Sequence, residues 1–523
     1  MTFINAAVLI VYFAVLIVLA IFGCHRYMML YLYYKHRDKK PSSRANPSSR
    51  NDPLHPLHPT STRLPEVTAQ LPVVTVQLPL FNEMYVVERL IDAAARLDYP
   101  RELLEIQVLD DSTDETTELA RRRVDDYRSR GLDIHHLHRE ARNGFKAGAL
   151  QAGLSRARGE FVAVFDADFV PPHDFLRAVL THFQAEDVAM VQARWGHINP
   201  EYSLLTRVQS ILLDAHFIIE HGARNRAGRF FNFNGTAGVW RRSAIEDAGG
   251  WQHDTLTEDL DLSYRAQLKG WRFIFLPDVV CPAELPVEMN GFKSQQHRWS
   301  KGSIQTAKKL LPRLLASPLP LGVKAEAIFH LTANLAYPLM VVLSLLMFPS
   351  MLVRYNMGWQ AMLLVDIPLF LAATCSVTAF YVVSQKEIYP DWKERVRYIP
   401  FLLSVGIGMS VSNGRAVLEG LWGCETPFVR TPKYRIESRR DRWKLKKYRG
   451  ARSYLPAVEI ALGLYFTATV AYAISHQIFA TLPFLALFQV GFLATGFMSW
   501  LQPFRDSGFH AGTSLLTPAA RHR

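Results

Sequence analysis

The residues of this chain best equipped for chemistry are Asp166 and Asp168, which end the run Glu160-Phe161-Val162-Ala163-Val164-Phe165-Asp166-Ala167-Asp168. Phe161 to Phe165 reads as a buried strand, because the apolar run is uninterrupted and too short for a buried helix. Side chains alternate along a strand, so Asp166 and Asp168 converge at its mouth. Two carboxylates there repel unless a cation lies between them, and oxygen ligands of this kind suit Mg²⁺ or Mn²⁺. The matching cargo is a diphosphate. A strand end that is merely solvated carries the same pair, so the rest of the chain must decide.

Further clusters bear on the decision. Asp110-Asp111 ends a second expected strand, Leu104 to Leu109. Arg142-Asn143-Gly144-Phe145-Lys146-Ala147-Gly148-Ala149-Leu150 is a glycine-bearing turn leading into a helix. Close-packed backbone N–H groups and the Lys146 charge suit phosphate oxygens there, with an exposed, solvated turn as the alternative. Thr257-Glu258-Asp259 opens a helix in which Leu262, Ala266 and Lys269 fall on successive turns. Thr257 caps that helix and both acids face its positive end, which explains them structurally. The same placement keeps a general base deprotonated in a cleft. Gln295-Gln296-His297-Arg298-Trp299 sets a tryptophan in a polar stretch. A flat indole suits the C–H face of a sugar ring, and Arg298 suits a leaving diphosphate.

These side chains need elements to hold them. Val73 to Gln77 is a strand opening into Leu78-Pro79-Leu80-Phe81-Asn82-Glu83, and Val86, Leu90, Ala94 and Leu97 mark the helix after it. After Asp110-Asp111, Ser112 and Glu115 have capping-box spacing for a helix running to Tyr127. Ala189 to Trp195 is another strand, followed by Phe233-Asn234-Gly235-Thr236-Ala237-Gly238-Val239-Trp240. Strands alternating with helices imply a parallel, doubly wound α/β sheet whose ligands lie beyond the carboxyl ends of the strands. Both acidic pairs sit at such ends.

Composition places this domain beside a membrane. The 523 residues carry a net charge of +12 and are 49% hydrophobic, with apolar blocks at the N-terminus and after about Ala325. The positive charge clusters beside those blocks, which fits anionic headgroups and cytosolic flanks better than nucleic acid, so no nucleic-acid partner is expected. Cys24, Cys281, Cys375 and Cys424 are scattered, suggesting neither a disulfide framework nor zinc. Ile4 to Phe22 has the ~20 apolar residues of a spanning helix; it exceeds a signal-peptide core and lacks a basic leader or A-x-A site. Ala333 to Leu352, Met362 to Val383, Leu455 to Ile474 and Phe479 to Leu501 complete five expected spans. Tyr398 to Gly423 is interrupted by polar and small residues and reads as an interfacial amphipathic helix. That keeps the basic run from Arg435 to Arg449 on the cytosolic side with the catalytic domain.

Taken together, Asp110-Asp111, Asp166-Ala167-Asp168, Thr257-Glu258-Asp259 and Gln295-x-x-Arg298-Trp299 resemble the processive family-2 glycosyltransferases of the cellulose synthase superfamily in order and spacing. RNGFKAGAL, FNGTAGVWR and QQHRWSKG resemble the plant cellulose-synthase-like A and C proteins and their bacterial relatives more than bacterial cellulose synthase. The resemblance covers Leu71 to Gly302 and thereafter only the layout. It implies a GT-A fold, a Rossmann-like doubly wound sheet in the cytosol joined to an α-helical transmembrane region. It further implies that Asp110 and Asp111, with Pro79, Asn82 and Glu83, hold the nucleoside, and that Lys146 holds the diphosphate. Asp166 and Asp168 would engage donor and metal, Asp168 the more directly. Asp259 would be the general base, Gln295 and Arg298 would steady the pyrophosphate, and Trp299 would floor the acceptor site. Phe428, Thr431 and Lys433 match a gating loop that closes over the nucleotide, with Pro432 inserted among them.

The implied organisation is an N-terminal span (1–34), a linker (35–70), the transferase domain (71–315), interface helices with two spans (316–430), a gating-like basic segment (424–452), a hairpin of spans (453–501) and a cytosolic tail (502–523). The implied reaction inverts an α-linked nucleotide sugar to a β-glycosidic bond on a growing glycan, with UDP-glucose favoured as donor and GDP-mannose the alternative. Lipid surrounds the spans, and a lipid acceptor, modified once, is the competing transferase reading. A transporter or receptor with a nucleotide-sensing domain would need ionisable groups buried mid-span, and only Asp366 and Glu459 offer them.

Overall fold

The computed structural model describes residues 3–38, 71–358, 363–424, 430–448 and 453–501. Most of the expected linker, Phe428, Arg449 and the C-terminal tail lie outside them.

The central domain is built on a seven-stranded sheet in the order β3-β2-β1-β4-β6-β5-β7. β1 (Val74–Leu80) pairs in parallel with β2 (Leu104–Asp110) on one side and β4 (Phe161–Val164) on the other. β3 (Ile134–His138) extends the sheet beyond β2, also in parallel. Chain order therefore reverses between β1 and β4, and such a switch point opens a crevice at the carboxyl ends of the strands. The other half departs from the expected all-parallel sheet. β6 (Gly238–Arg241) runs antiparallel to both β4 and β5 (Val188–His197), while β5 and β7 (Arg272–Ala283) are parallel, so the sheet is mixed. The FNGTAGVWR words enter that reversed strand, which no hydrophobic pattern distinguishes from a parallel one.

The strands show why both sheet faces are covered. On β1, Val74, Val76 and Leu78 pack with Leu90 and Ile91 of the helix Val87–Ala95. Phe161, Ala163 and Phe165 join that layer, whereas Val162 and Val164 pack on the other face with Leu150, Trp240 and Leu262. Thr75, Gln77, Glu105 and Gln107 are buried polar side chains that pair with one another. Thr75 Oγ1 donates to Glu105 at 2.6 Å, Gln107 Nε2 donates to Glu105 at 2.9 Å, and Gln77 Nε2 donates to Gln107 at 3.0 Å. These bonds offset most of the cost of burying the four side chains and leave Gln77 Oε1 as the atom without a partner.

Two helix starts differ from the sequence expectation. The helix after β2 begins at Thr116 rather than with a capping box on Ser112. Ser112 Oγ is already used, accepting from the Asn82 backbone N–H at 2.8 Å, and Asp114 accepts from Thr116 N–H instead. Glu115 binds Lys447 at 2.8 Å. Thr257 does occupy the N-cap of Glu258–Leu268, yet its hydroxyl lies 3.3 Å from Thr306 Oγ1 and makes no capping bond.

Among the described residues, five helices are long and apolar enough to cross a membrane: Phe3–Lys35, Leu321–Asn356, Pro368–Ile388, Leu455–Ser475 and Phe479–Trp500. These are the five expected regions, although the first helix continues well past Phe22. The segment expected to lie at the interface forms two helices, Trp392–Gly408 and Ser410–Trp422, bent by 44°, and as one unit it is a sixth candidate span. Its first half crosses the final helix closely. A Cβ on Gly408 would lie 2.3 Å from Gly491 O, and one on Gly491 would lie 2.3 Å from Ser404 O. Small residues permit that approach, as they do between membrane helices. Asp366 is paired with Arg354 at 2.7 Å and accepts from Tyr12 OH at 2.9 Å.

A buried ion pair is among the contacts that tie this helical half to the helix Met289–Ala316, which carries Gln295, Arg298 and Trp299. Lys293 Nζ meets Glu459 at 2.5 Å and donates to Ser499 Oγ at 2.7 Å, with both charged side chains buried. Glu459→Ala leaves the Lys293 ammonium buried without its counter-charge, a loss of about 3–5 kcal/mol. Thermal unfolding in detergent should show a lower midpoint, and adding Lys293→Met should restore much of it.

Candidate functional site

The carboxyl ends of β1, β2 and β4 open on a cleft. Pro79, Glu83, Asp111, Lys146, Asp166, Asp168, Asp259, Gln295, Arg298, Trp299, Thr431 and Lys433 all line it. The sheet explains the convergence, since each acidic cluster directly follows a strand or opens a helix at that edge.

Asn82 and Asp110 stand behind the wall rather than in it. Asn82, with a φ of 55°, accepts from Thr113 N–H at 2.8 Å and so ties the loop after β1 to the loop after β2. Asp110 is fully buried. It lies 3.0 Å from His136 Nε2 and 3.1 Å from His138 Nδ1 and accepts from Ser112 N–H at 2.9 Å. Burial alone would push its carboxyl up, but these hydrogen bonds outweigh it and hold the group at about 2. The Asp110, His136 and His138 ligand atoms lie within 4.8 Å of one another, a spacing open to a metal ion, but off the cleft.

At one end of the cleft, both oxygens of Asp111 accept from Arg139, at 2.7 and 2.6 Å. Arg142 lays its guanidinium over the Phe81 ring at 3.4 Å. Burial lowers Arg142 to about 10. Deeper in, Lys146 Nζ meets Asp166 at 2.6 Å and donates to Gly235 O at 2.9 Å. Burial opposes its charge, but Asp166 and Glu258 prevail and hold its pKa above the ordinary value. Lys433 pairs with Asp168, Arg430 reaches Glu83 at 3.3 Å, and Arg298 Nη2 donates to Thr431 Oγ1 at 3.1 Å. The segment after residue 430 thus closes over the cleft. Burial lifts Glu83 to about 7 and pulls Arg298 below its usual range.

The two DAD carboxylates converge on the cleft as expected, but each takes its own lysine in place of one shared cation. Each oxygen pair is demanding a positive partner, which is the donor chemistry a hard divalent ion uses. The donor set therefore fits Mg²⁺ or Mn²⁺.

Asp259 sits where Glu258–Leu268 begins, and its Oδ1 accepts from Leu260 N–H at 2.8 Å. Burial and then the Glu258 charge push its carboxyl up to about 7, with Lys146 opposing. Gly235, at φ 78°, presses against it: a Cβ there would be 3.0 Å from Asp259 Oδ2. Trp299 is half-buried and has an aromatic neighbour that the sequence concealed, Trp195, with ring centroids 6.4 Å apart. The cleft also takes Arg142, Trp195, Asn234, Glu284 and Arg430, none of which the sequence reading had singled out individually. Arg142 and Asn234 lay inside quoted motifs, Arg430 falls between Phe428 and Thr431 of the gating-like loop, and Trp195 ended an expected strand. Glu284 follows β7, which had no motif to announce it.

Residues 72–302 match the family described as glycosyltransferase like family 2. Glucomannan 4-beta-mannosyltransferase 1 of Oryza sativa subsp. japonica is 44% identical over 241 residues, 45% of this chain and 46% of that relative. The chain thus spans about half the length of the curated relative it matches. Among solved structures, the mannosyltransferase PcManGT from Pyrobaculum calidifontis, in complex with GDP-Man and Mn²⁺, aligns over 79% of this chain and 99% of its own, with a TM-score of 0.49 and 21% identity. S. aureus TarS aligns over 66% of this chain and 54% of its own, with a TM-score of 0.34 and 16% identity.

Proposed function

We propose, from the premise that residues 72–302 are a glycosyltransferase-like family 2 domain, that this chain is a membrane-embedded, inverting mannosyltransferase. It extends a β-linked mannan or glucomannan from GDP-mannose on the cytosolic side. The observation that carries the reading is the convergence of Asp259, Asp166, Asp168, Lys146, Lys433, Arg298 and Trp299 on one cleft at the carboxyl ends of the strands. Support for mannose over the glucose favoured from sequence comes from the 44% identity to a glucomannan mannosyltransferase.

The chemistry is one in-line displacement. Asp259 accepts the proton of the acceptor hydroxyl, whose oxygen bonds the anomeric carbon as the bond to the β-phosphate oxygen breaks. The electron pair leaves on the nucleoside diphosphate, toward Lys146 and Arg298, with Gln295 beside it. Asp166 and Asp168 are the groups that would hold Mg²⁺ or Mn²⁺, which supplies positive charge for the phosphate oxygens when bound. Asp111 and Arg142 border the nucleoside end, and Thr431 and Lys433 shut the cleft. Trp299 with Trp195 offers aromatic faces to the acceptor sugar. The spans beside the cleft suit outward passage of a growing chain.

The test incubates the purified full chain with GDP-mannose or UDP-glucose and Mg²⁺ or Mn²⁺, then digests the product with β-mannanase or β-glucanase. A mannanase-sensitive polymer from GDP-mannose is expected. Incorporation from UDP-glucose alone, or a single sugar on lipid, overturns the reading.

A further inference from the structure

Asp110 ends β2 directly opposite His138 of β3, and His136 stands two residues earlier on β3, opposite Val108. Side chains alternate along a strand, so His136 and His138 share a face, and the parallel register puts Asp110 on it too. The same face carries Val108 and Ile134, which pack with Ala120 and Val124 of the helix Thr116–Ser129. Where that apolar layer ends, the two strands bring one carboxylate and two imidazoles to a single point. Their exposure is graded. Asp110 is fully buried, the His136 side chain is 12% exposed and that of His138 36%, so the group is reached from solvent along His138.

One oxygen, Asp110 Oδ2, faces both rings, 3.0 Å from His136 Nε2 and 3.1 Å from His138 Nδ1. The three ligand atoms lie within 4.8 Å of one another. An ion with tetrahedral bonds of about 2.0–2.1 Å keeps its ligand atoms roughly 3.3 Å apart. Two of the three edges already stand near that length, and a small turn of the His138 ring closes the third. The other carboxylate oxygen, Oδ1, accepts from Ser112 N–H at 2.9 Å, a contact of the kind that orients a ligating carboxylate. Asp110 is ionised, because its hydrogen bonds outweigh its burial. Each imidazole becomes a ligand once its ring hydrogen sits on the nitrogen facing away from Asp110. Arg139, the next residue along the chain, turns its guanidinium to both oxygens of Asp111, where its charge is neutralised.

We propose that Asp110, His136 and His138 form a binding site for a divalent ion of the zinc class, separate from the DAD carboxylates. Two imidazoles and one carboxylate suit Zn²⁺, whereas the oxygen-only DAD pair suits Mg²⁺ or Mn²⁺. The scattered cysteines offer no thiolate site, and this one needs none. An ion held there staples β3, the edge strand of the sheet, to β2 one residue before Asp111. It braces the Asp111 end of the cleft from behind, and it does so whichever reaction the cleft performs.

The experiment titrates Zn²⁺ by calorimetry into the full-length protein, purified without a polyhistidine tag, stripped with a chelator and held in excess Mg²⁺ to fill the oxygen ligands of the cleft. One tight equivalent should bind. His136→Gln with His138→Gln, whose amides can still donate to Asp110, should weaken that equivalent at least about 10²-fold. His138→Gln alone, at the exposed position, should weaken it about tenfold or more. Zn²⁺ should raise the thermal midpoint of the native protein and leave that of the double variant where it was, because only a folded site binds the ion. Should the double variant fail to fold without metal, His138→Gln decides alone. Absence of the tight equivalent, its survival at native strength in the glutamine variants, or a native midpoint indifferent to Zn²⁺ overturns the proposal.

Discussion

Asp259→Asn should lower glycosyl transfer by about 10²–10⁴-fold, the usual worth of a positioned general base, while GDP binding stays near its native strength. Asparagine keeps an Oδ1 that can accept from Leu260 N–H, so the helix start is preserved. What it lacks is a site for the proton. The native pH profile carries the same signature: a base titrating at about 7 is protonated and idle below that value. On the acid limb kcat/KM should fall about tenfold per pH unit, and the variant's residual rate should lose that limb. The stability effect has the opposite sense. Because burial raises this carboxyl in the folded protein, folding favours its protonated form, and a penalty accumulates as pH rises from the ordinary aspartate range through about 7. Asp259→Asn removes that penalty, so its thermal midpoint should exceed the native one above pH 7. Full activity in the variant, or lost GDP binding, would falsify the base assignment.

The cleft was readable from sequence because its chemistry is local to strand ends. Asp166 and Asp168 follow an uninterrupted apolar run, Asp111 follows the alternating strand Leu104 to Leu109, and the alternation of strands and helices fixes which edge they share. Trp299 was readable for the wrong reason. It seemed to lack apolar company, yet Trp195 is its neighbour from β5, a contact between residues over a hundred positions apart. Non-local pairing explains the other gaps also. β6 runs antiparallel because the loop Phe233 to Ala237 turns it, and a strand of four residues, Gly238–Arg241, carries no direction in its pattern. The lysine pairings of Asp166 and Asp168 join the DAD strand to Lys146 and to Lys433, on segments whose meeting no spacing encodes.

The helical half divides in the same way. Its five long spans follow from length and hydropathy, which are properties of each segment by itself. The segment 392–422 does not, because its course depends on what it packs against. Ser410, Ser412 and Asn413 looked like surface groups at an interface, yet all three are buried. Glu459, which suggested little from its place near a span end, becomes the anchor of Lys293. Whether a polar residue in an apolar helix marks solvent or a partner is decided by neighbouring helices, as the Gly408 and Gly491 crossing illustrates.

Those lysine pairings make Asp168 the second position of large effect. With Lys433 against Asp168 and Lys146 against Asp166, the cleft already balances its carboxylates with cations. A nucleotide brings two phosphates into the same space, and the lysines cannot serve both the aspartates and the phosphates in full. Asp166 and Asp168 would hold a divalent ion, whose charge would leave Lys146 and Lys433 to face the phosphate oxygens. Asp168→Ala removes one ligand and strands Lys433, so transfer should fall roughly 10²–10³-fold, the range for losing one contact to developing charge. Chelation should silence the native protein reversibly, with Mn²⁺ or Mg²⁺ restoring it, while no metal concentration restores the variant. Lys433→Ala separates the two contributions, since it removes the competing cation but keeps the ligand. Its metal requirement should persist and its half-saturating metal concentration should drop. A native protein indifferent to chelation, or an Asp168→Ala protein rescued by metal, would assign the DAD pair to holding lysines alone.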